Sequence, residues 1–500
     1  MNEVPKTECA PYGKWQDWKA IDWREVRKHV RRLQNRIAKA VREGRHNKAK
    51  SLQWILTHSY YAKLLAVKRV VSNKGKKTPG VDGITWNTKK KKIEAVKLLK
   101  RHGYKPLPLR RIYIPKRKNS NKKRPLSIPT MRDRAMQALY AMALIPIAET
   151  TADGNSYGFR EKRGCHDAIG QCFISLAKSY SPQWIFEADI EACFDRINHE
   201  WILSNILMDK KILQSWLKAG YIEGKKRFPT TEGTPQGGII SPILANMTLD
   251  GLEAAIKAVV PRRSKVNFIR YADDFIVTCM NKEILVDKVI PVIEKFLAER
   301  GLKLSAEKTH ITHIDEGFNF LSQNIRKYKG KLLIKPSKEA VKSHLDEMRR
   351  IIKSMWGAKP EALIRKLNYK HRGWVNYHKH IVAKKTFSTV DFQLCTMLKR
   401  WAKRRHSNKT YGWVWRKYFI KGTTKGIFSV KLKTDKKGVF KTFQLFKAAA
   451  IPIIRHIKVK QQANPYDPTY NDYFEKRRCW RFSMSKKCRQ DTIYLSYANA

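Results

Sequence analysis

The chain has 500 residues, 42% of them hydrophobic and 11% aromatic, enough to bury a sizeable core in roughly two to four domains, which excludes a disordered tail. Its 104 Lys and Arg face only 42 Asp and Glu, a formal net charge of +62 that favours a polyanionic partner, nucleic acid first. No apolar run nears the roughly 18 residues that span a bilayer, and the amino terminus lacks the order of a signal peptide, so a cytoplasmic protein without membrane contact is expected. Cys9, Cys165, Cys172, Cys193, Cys279, Cys395, Cys479 and Cys488 include no pair at zinc-knuckle spacing, which predicts reduced thiols and no structural zinc.

In chain order, apolar residues recur at helical spacing from Val26 through Val30, Leu33, Ile37 and Val41 with basic residues between them, which predicts a basic amphipathic helical pair. "SNKGKKTPGVDG" and "IPKRKNSNKKRPLSIP" read as basic loops, the first of them mobile. "RRIYIP" and "RPLSIP" read as hairpin strands, "MRDRAMQALYAMALIPIAETTA" as a helix, and "QWIFEADI" as a strand ending on an acid. "VNFIRYADDFIVTCM" reads as two strand arms meeting at Asp273 and Asp274. The central region is therefore α+β. Beyond about residue 336 the strand signals fade into three helices, and the last hundred residues are rich in Lys, Arg and aromatics.

Two adjacent carboxylates among apolar residues repel each other and resist desolvation, so the pair either shifts its pKa values or binds a cation. For the pair alone a solvated hairpin turn is the default, and only context separates the two readings. Asp189 supplies that context, because pairing of its strand with the Asp273 arm would bring three carboxylates together. All-oxygen ligands of this kind suit magnesium, and a two-ion arrangement suits phosphoryl transfer.

The aromatic-Ala-Asp-Asp hairpin, Asp189 five residues before Phe194, and "GTPQGGIISPILANMTLD" between them together resemble the palm of a reverse transcriptase. The order "TPGVDGITW", "RRIYIPK", "KRPLSIPTMRDRAMQ", "NSYGFR", "GTPQGG", "RYADDF", "LSAEKTHITH" and "GFNFLS", followed by "RGWVNYHKH", "RWAKRRH" and "ANPYDP", is similar to group II intron-encoded reverse transcriptase/maturases over most of the chain. That resemblance implies a right-hand polymerase. Residues 1–70 would be a basic helical extension, 71–335 fingers and palm, 336–420 a helical thumb/maturase domain, and 421–500 a basic DNA-binding region. No histidine follows His456, so a His-Asn-His endonuclease is not expected.

Residue by residue, the resemblance implies that Asp189, Asp273, Asp274 and the Ile190 carbonyl hold magnesium. Lys116 and Arg124 match positions that grip the incoming deoxynucleoside triphosphate. Phe194 matches a steric gate against the ribose 2′ hydroxyl, although the ring alone would suit a core. Gln236 and Gly237 match a turn that lets backbone approach nucleotide and template. Lys308 matches a lysine that either protonates departing pyrophosphate or binds its phosphate. Ser322 stands where the family usually has glycine, so the turn there is expected to differ slightly. The implied activity is RNA-directed DNA synthesis with splicing assistance and intron mobility, on group II intron RNA and target DNA, and a homodimer is compatible with it. In a bacterial cell such a protein would join the nucleoid when on target DNA. A splicing-only maturase and a domesticated or defence-associated reverse transcriptase are the alternatives.

Overall fold

Asp22 begins the first helix, its carboxylate accepting from the backbone N–H groups of Arg24 (2.7 Å) and Glu25 (3.3 Å), which satisfies donors that a helix start leaves open. That helix, α1 (Trp23–Arg42), buries Val26, Val30, Leu33, Ile37 and Val41, the stripe read from the sequence. The computed structural model describes Trp15 and residues 17–116, 119–419, 426–434 and 439–479. These divide into two compact units, one from Met1–Ala168, Ile185–Ile311 and Val459–Asp472, the other from Ile169–Trp184, Thr312–Lys458 and Tyr473–Ala500. Among the described residues no helix is long and apolar enough to cross a membrane.

In the first unit the expected helical pair is three helices. After α1 come α2 (His46–His58) and α3 (Tyr60–Ser72), parted by an extended Ser59. Tyr61 on α3 donates to Glu25 Oε1 (3.0 Å), and Gln34 donates to the Met142 carbonyl (2.8 Å). The chain then forms α4 (Lys89–Leu98), strands β1 (Leu109–Lys116) and β2 (Asn119–Ile128), and the helix α5 (Met131–Thr151). Because α5 is buried on nearly all sides, its polar groups are paired inside: Asp133 accepts from Tyr104 and Thr130, both at 2.7 Å. The first basic loop is pinned, contrary to the mobile reading, because Arg134 donates to the carbonyls of Gly75 (3.1 Å) and Thr78 (2.7 Å). A Cβ on Gly80 would lie 2.6 Å from Thr130 Cα, so that close approach requires glycine.

β1 and β2 pair antiparallel with a register shift between Pro115 and Lys116. They share a sheet of order β2-β1-β4-β5 with β4 (Tyr221–Glu223) and β5 (Lys226–Phe228). Helix α6 (Cys165–Leu176) leads to strand β3 (Trp184–Asp189), and a second sheet has the order β6-β7-β3-β8, with β6 (Asn267–Tyr271), β7 (Asp274–Cys279) and β8 (His310–His313).

Residues 459–472 also belong to the first unit, where Val459 N–H donates to Asp167 Oδ1 (2.8 Å) and Tyr466 donates to Glu161 Oε2 (2.8 Å). Asp467 pairs with Arg42, and the Arg31 guanidinium lies 4.5 Å over the Tyr466 ring. The "ANPYDP" motif is thus a clasp on α1.

In the second unit, β9 (Phe318–Phe320), β10 (Gln323–Tyr328) and β11 (Lys331–Pro336) form an antiparallel sheet. The β9–β10 turn is only Leu321 and Ser322, with φ of +49° and +63°. Such tight hairpin turns favour glycine. Here the Tyr377 hydroxyl holds the Leu321 carbonyl (2.9 Å) and Ser337 N–H holds that of Ser322 (3.1 Å).

The helices Lys338–Ser354, Pro360–His378, Lys384–Arg405 and Tyr411–Tyr418 follow. The fading of strand signals past residue 336 is overturned by the hairpin of β12 (Ser429–Thr434) and β13 (Val439–Gln444), which joins these helices in one apolar core through Phe428, Val430, Phe443 and Leu445. The expected tail role falls partly on residues 480–500, which lie outside the described residues.

Candidate active site

Antiparallel β6 and β7 meet at a two-residue turn, Ala272 and Asp273, with Tyr271 opposite Asp274. Phe268, Ile269, Phe275, Ile276 and Val277 are buried and anchor both arms. Ala272 has φ +60°, which the turn demands of a residue that ordinarily avoids it. A Cβ on Gly158 would lie 2.3 Å from Ala272 N, so the "NSYGFR" segment packs its backbone directly on the turn. The same segment borders β6 through hydrogen bonds from Tyr157 N–H to the Arg270 carbonyl (2.9 Å) and from Arg270 N–H to the Asn155 carbonyl (3.0 Å).

Strand β3 lies beside β7 in the sheet and ends on Asp189. The Asp189 carbonyl accepts from Ser305 N–H (2.8 Å), and Glu191 N–H donates to the Lys303 carbonyl (2.9 Å). These bonds make an antiparallel bridge between Ile190 and Leu304 whose hydrogen bonds come from the flanking residues rather than from Ile190. They also bring in Lys308, whose ammonium pairs with the Asp189 carboxylate. Burial pushes the Asp273 carboxyl above its ordinary value and the Asp189 charge adds to this, while its own backbone N–H, Arg124 and Lys308 oppose it. Lys308 is raised, mainly by its hydrogen bond to Asp189 and further by Asp274 and Asp273. Three carboxylates and two cations therefore share one field. Among the described residues no three His, Cys, Asp or Glu groups form a ready metal cage, and the Lys308 ammonium pairs with Asp189 alone of the three acids.

The other expected residues lie on two connected pieces. Phe194 sits half-buried on the short helix α7 (Cys193–Arg196), entered through Ala192 at φ +47°. Its carbonyl accepts from Thr234 N–H (2.6 Å), and Gly233 N–H donates to the Ile197 carbonyl (2.8 Å), stapling the "GTPQGG" loop to α7. A Cβ on Gly233 would fall 2.4 Å from the Asp195 carbonyl. On its far side the loop meets β2: Ser127 N–H donates to the Gln236 carbonyl (2.7 Å), and Gly237, at φ +117°, would put a Cβ 2.7 Å from the Ser127 carbonyl. The Gln236 amide donates to Asp195 Oδ2 (2.8 Å). Arg124 is exposed on β2 opposite Ile114. The side chain of Lys116 lies outside the described residues.

Arg270 supports the hairpin from beneath and was not among the expected residues. It is 0% exposed, pairs with Asp250, and donates to Asn246 Oδ1 (3.4 Å). A charged residue in the apolar run "FIRYADDFIV" was its signal. Burial pushes Asp250 up to about 6 although Arg270 pulls it down. Cys193, the first residue of α7, is buried, and burial foremost and the Asp273 charge next push its thiol up to about 12.

Residues 114–325 match the family described as reverse transcriptase (RNA-dependent DNA polymerase), residues 18–99 the N-terminal domain of reverse transcriptase, and residues 341–419 the group II intron maturase-specific domain. The chain is 31% identical over 303 residues to protein YkfC of Escherichia coli, covering 52% of this chain and 79% of that one. It is 32% identical over 333 residues to the group II intron-encoded protein LtrA of Lactococcus lactis subsp. cremoris, covering 52% of this chain and 54% of LtrA. A 91 kDa protein in the cob intron of Schizosaccharomyces pombe is 29% identical over 327 residues, with 52% and 40% covered. The chain thus spans about half the length of LtrA and less of the yeast protein.

Proposed function

From the premise that the chain belongs to the group II intron reverse transcriptase/maturase family, we propose that it copies intron RNA into DNA at Asp189, Asp273 and Asp274 and assists splicing and mobility of that intron. The observation that supports the reading is that β3, ending on Asp189, lies beside β7, which starts at Asp274 after the Asp273 turn, and that Lys308 pairs with Asp189. Asp273 is a carboxyl whose charge is opposed by burial and by a neighbouring acid, a setting that an added cation relieves.

The donor set is all oxygen and fits magnesium. Ions held by the three carboxylates and the Ile190 carbonyl would supply Lewis-acid activation of a primer 3′ hydroxyl and neutralise charge on the leaving phosphate. The protein's own groups do the rest. Arg124 and Lys116 bind triphosphate oxygens of the deoxynucleotide, the Phe194 ring crowds the ribose 2′ position, and the glycines after Gln236 leave room for backbone to approach the base. Lys308 holds a proton at Nζ within reach of the acids and delivers it to departing pyrophosphate or keeps it there as a phosphate ligand. Intron RNA and target DNA neutralise the basic surface, and a homodimer is compatible with that arrangement.

The test replaces Asp273 and Asp274 by Asn and measures primer extension on an RNA template beside splicing of the flanking intron. Extension falls at least about a hundredfold, since Lewis-acid stabilisation is worth several kcal/mol, while splicing persists. Unchanged extension refutes the metal assignment. A wild type that splices but extends nothing at any magnesium concentration leaves a splicing-only maturase.

A further inference from the structure

The geometry points to a second RNA-contacting site on the first unit, a subsite for a single unpaired RNA base at the carboxy-terminal end of α2. Trp54 and His58, one helical turn apart, stack with ring centroids 4.1 Å apart at an interplanar angle of 24°, and Trp54 remains 59% exposed. Beside them opens a cavity of about 210 Å³ lined by Lys50, Arg101, Tyr140 and Asp209 among others. Drug-sized ligands occupy about 300–1,000 Å³, so this space suits one planar ring system.

Tyr140 adds a polar group to the wall. It is 6% exposed and lines the cavity. A base edge with donors and acceptors would meet its hydroxyl there. Its ring is fixed by an edge contact with Trp216 (5.6 Å), so the hydroxyl cannot swing away without repacking.

The rim chooses the ligand class. Lys50 opens onto the solvent, and neighbouring Lys210 is held below the ordinary lysine value by burial and by the Lys50 charge. Arg101 pairs with Asp209 Oδ2 at 2.5 Å, fixing the carboxylate at the mouth. An aromatic platform, cations for a phosphate and a fixed acceptor for a base N–H suit a splayed-out nucleotide. An apolar peptide side chain would leave the lysines and the Tyr140 hydroxyl unanswered.

This inference rests on the RNA-binding part of the proposed function, and the test keeps the two apart. A short oligouridylate carrying 5-iodouridine is irradiated with the full chain, wild type or with Asp273 and Asp274 replaced by Asn, at high salt where phosphate contacts weaken. Crosslinks are expected on peptides holding Trp54 or Tyr140. Trp54→Ala should weaken high-salt binding roughly five- to a hundredfold, the range for loss of one base–aromatic stack, and Trp54→Phe should restore most of it. Tyr140→Phe keeps the ring and should lose severalfold. Because Trp54 is exposed, unchanged melting of Trp54→Ala will show that the fold survives. Binding with crosslinks only elsewhere, or equal binding by Trp54→Ala, overturns the subsite alone. A wild type that binds no oligonucleotide at all overturns the RNA-binding reading with it.

Discussion

Replacing Arg270 by Met keeps much of the side-chain volume and removes the guanidinium that answers Asp250. The Asp250 carboxylate is 9% exposed and its Oδ2 has no hydrogen-bond partner, so Arg270 carries its compensation. Removing one partner of a buried ion pair costs about 3–5 kcal/mol, and at roughly 2 °C per kcal/mol the first unit should melt about 6–10 °C lower. The loss should depend on pH. Asp250 is raised in the fold from the ordinary 3.8 to about 6, so the stability tied to its protonated form is full below the unfolded value and lost as pH rises through the folded one. Without Arg270 the folded value rises further, so the deficit should be small near pH 5 and full near pH 8. The assay is thermal melting across that range, with Asp250→Leu and the double variant completing a cycle. A variant within about 2 °C of wild type at pH 8, or a double variant no more stable than Arg270→Met, refutes the dependence of the acid on the arginine.

Gly158→Ala forces a Cβ to within 2.3 Å of Ala272 N and should cost about 1–3 kcal/mol with a fall in primer extension, read from melting and extension together. Lys308→Ala should lower single-turnover extension by about 10²–10⁴-fold and abolish the alkaline limb of its pH profile if the proton is used; a rise in KM alone would assign phosphate binding. His344 is held down to about 3 by burial and by His371 and His378, so its contribution is present above the unfolded value of 6.5 and lost as pH falls toward 3. Melting of His344→Phe should therefore decline less than wild type on acidification from pH 6.5, and equal slopes would count against this.

The Asp273–Asp274 hairpin was legible because its apolar arms, buried on both faces, bracket a polar turn, and α1 was legible from its core stripe at helical spacing. The break between α2 and α3 was not, since Ser59 ends a helix without Gly or Pro. The alternation of lysines with apolar residues in "SVKLKT" was a strand signal that went unread amid the Lys- and Arg-rich tail, and the hairpin of β12 and β13 packs on the helical core. Of the candidate site, the acids and Lys308 could be named, but Gly158, Arg270 and Asp195 hold the acids and the loop through partners that only the folded chain reveals.

The clasp of residues 459–472 has a consequence for the chain while it is being made. Residues through Ile311 leave the ribosome some 160 residues before the clasp does, a wait of roughly 8–32 s at about 5–20 residues per second. During that interval Arg42, Glu161 and Asp167 lack their late partners, while the second unit's helices have already emerged. A message cut just before residue 459 would therefore yield a first unit without its clasp, so translation through residue 472 becomes a checkpoint for that unit.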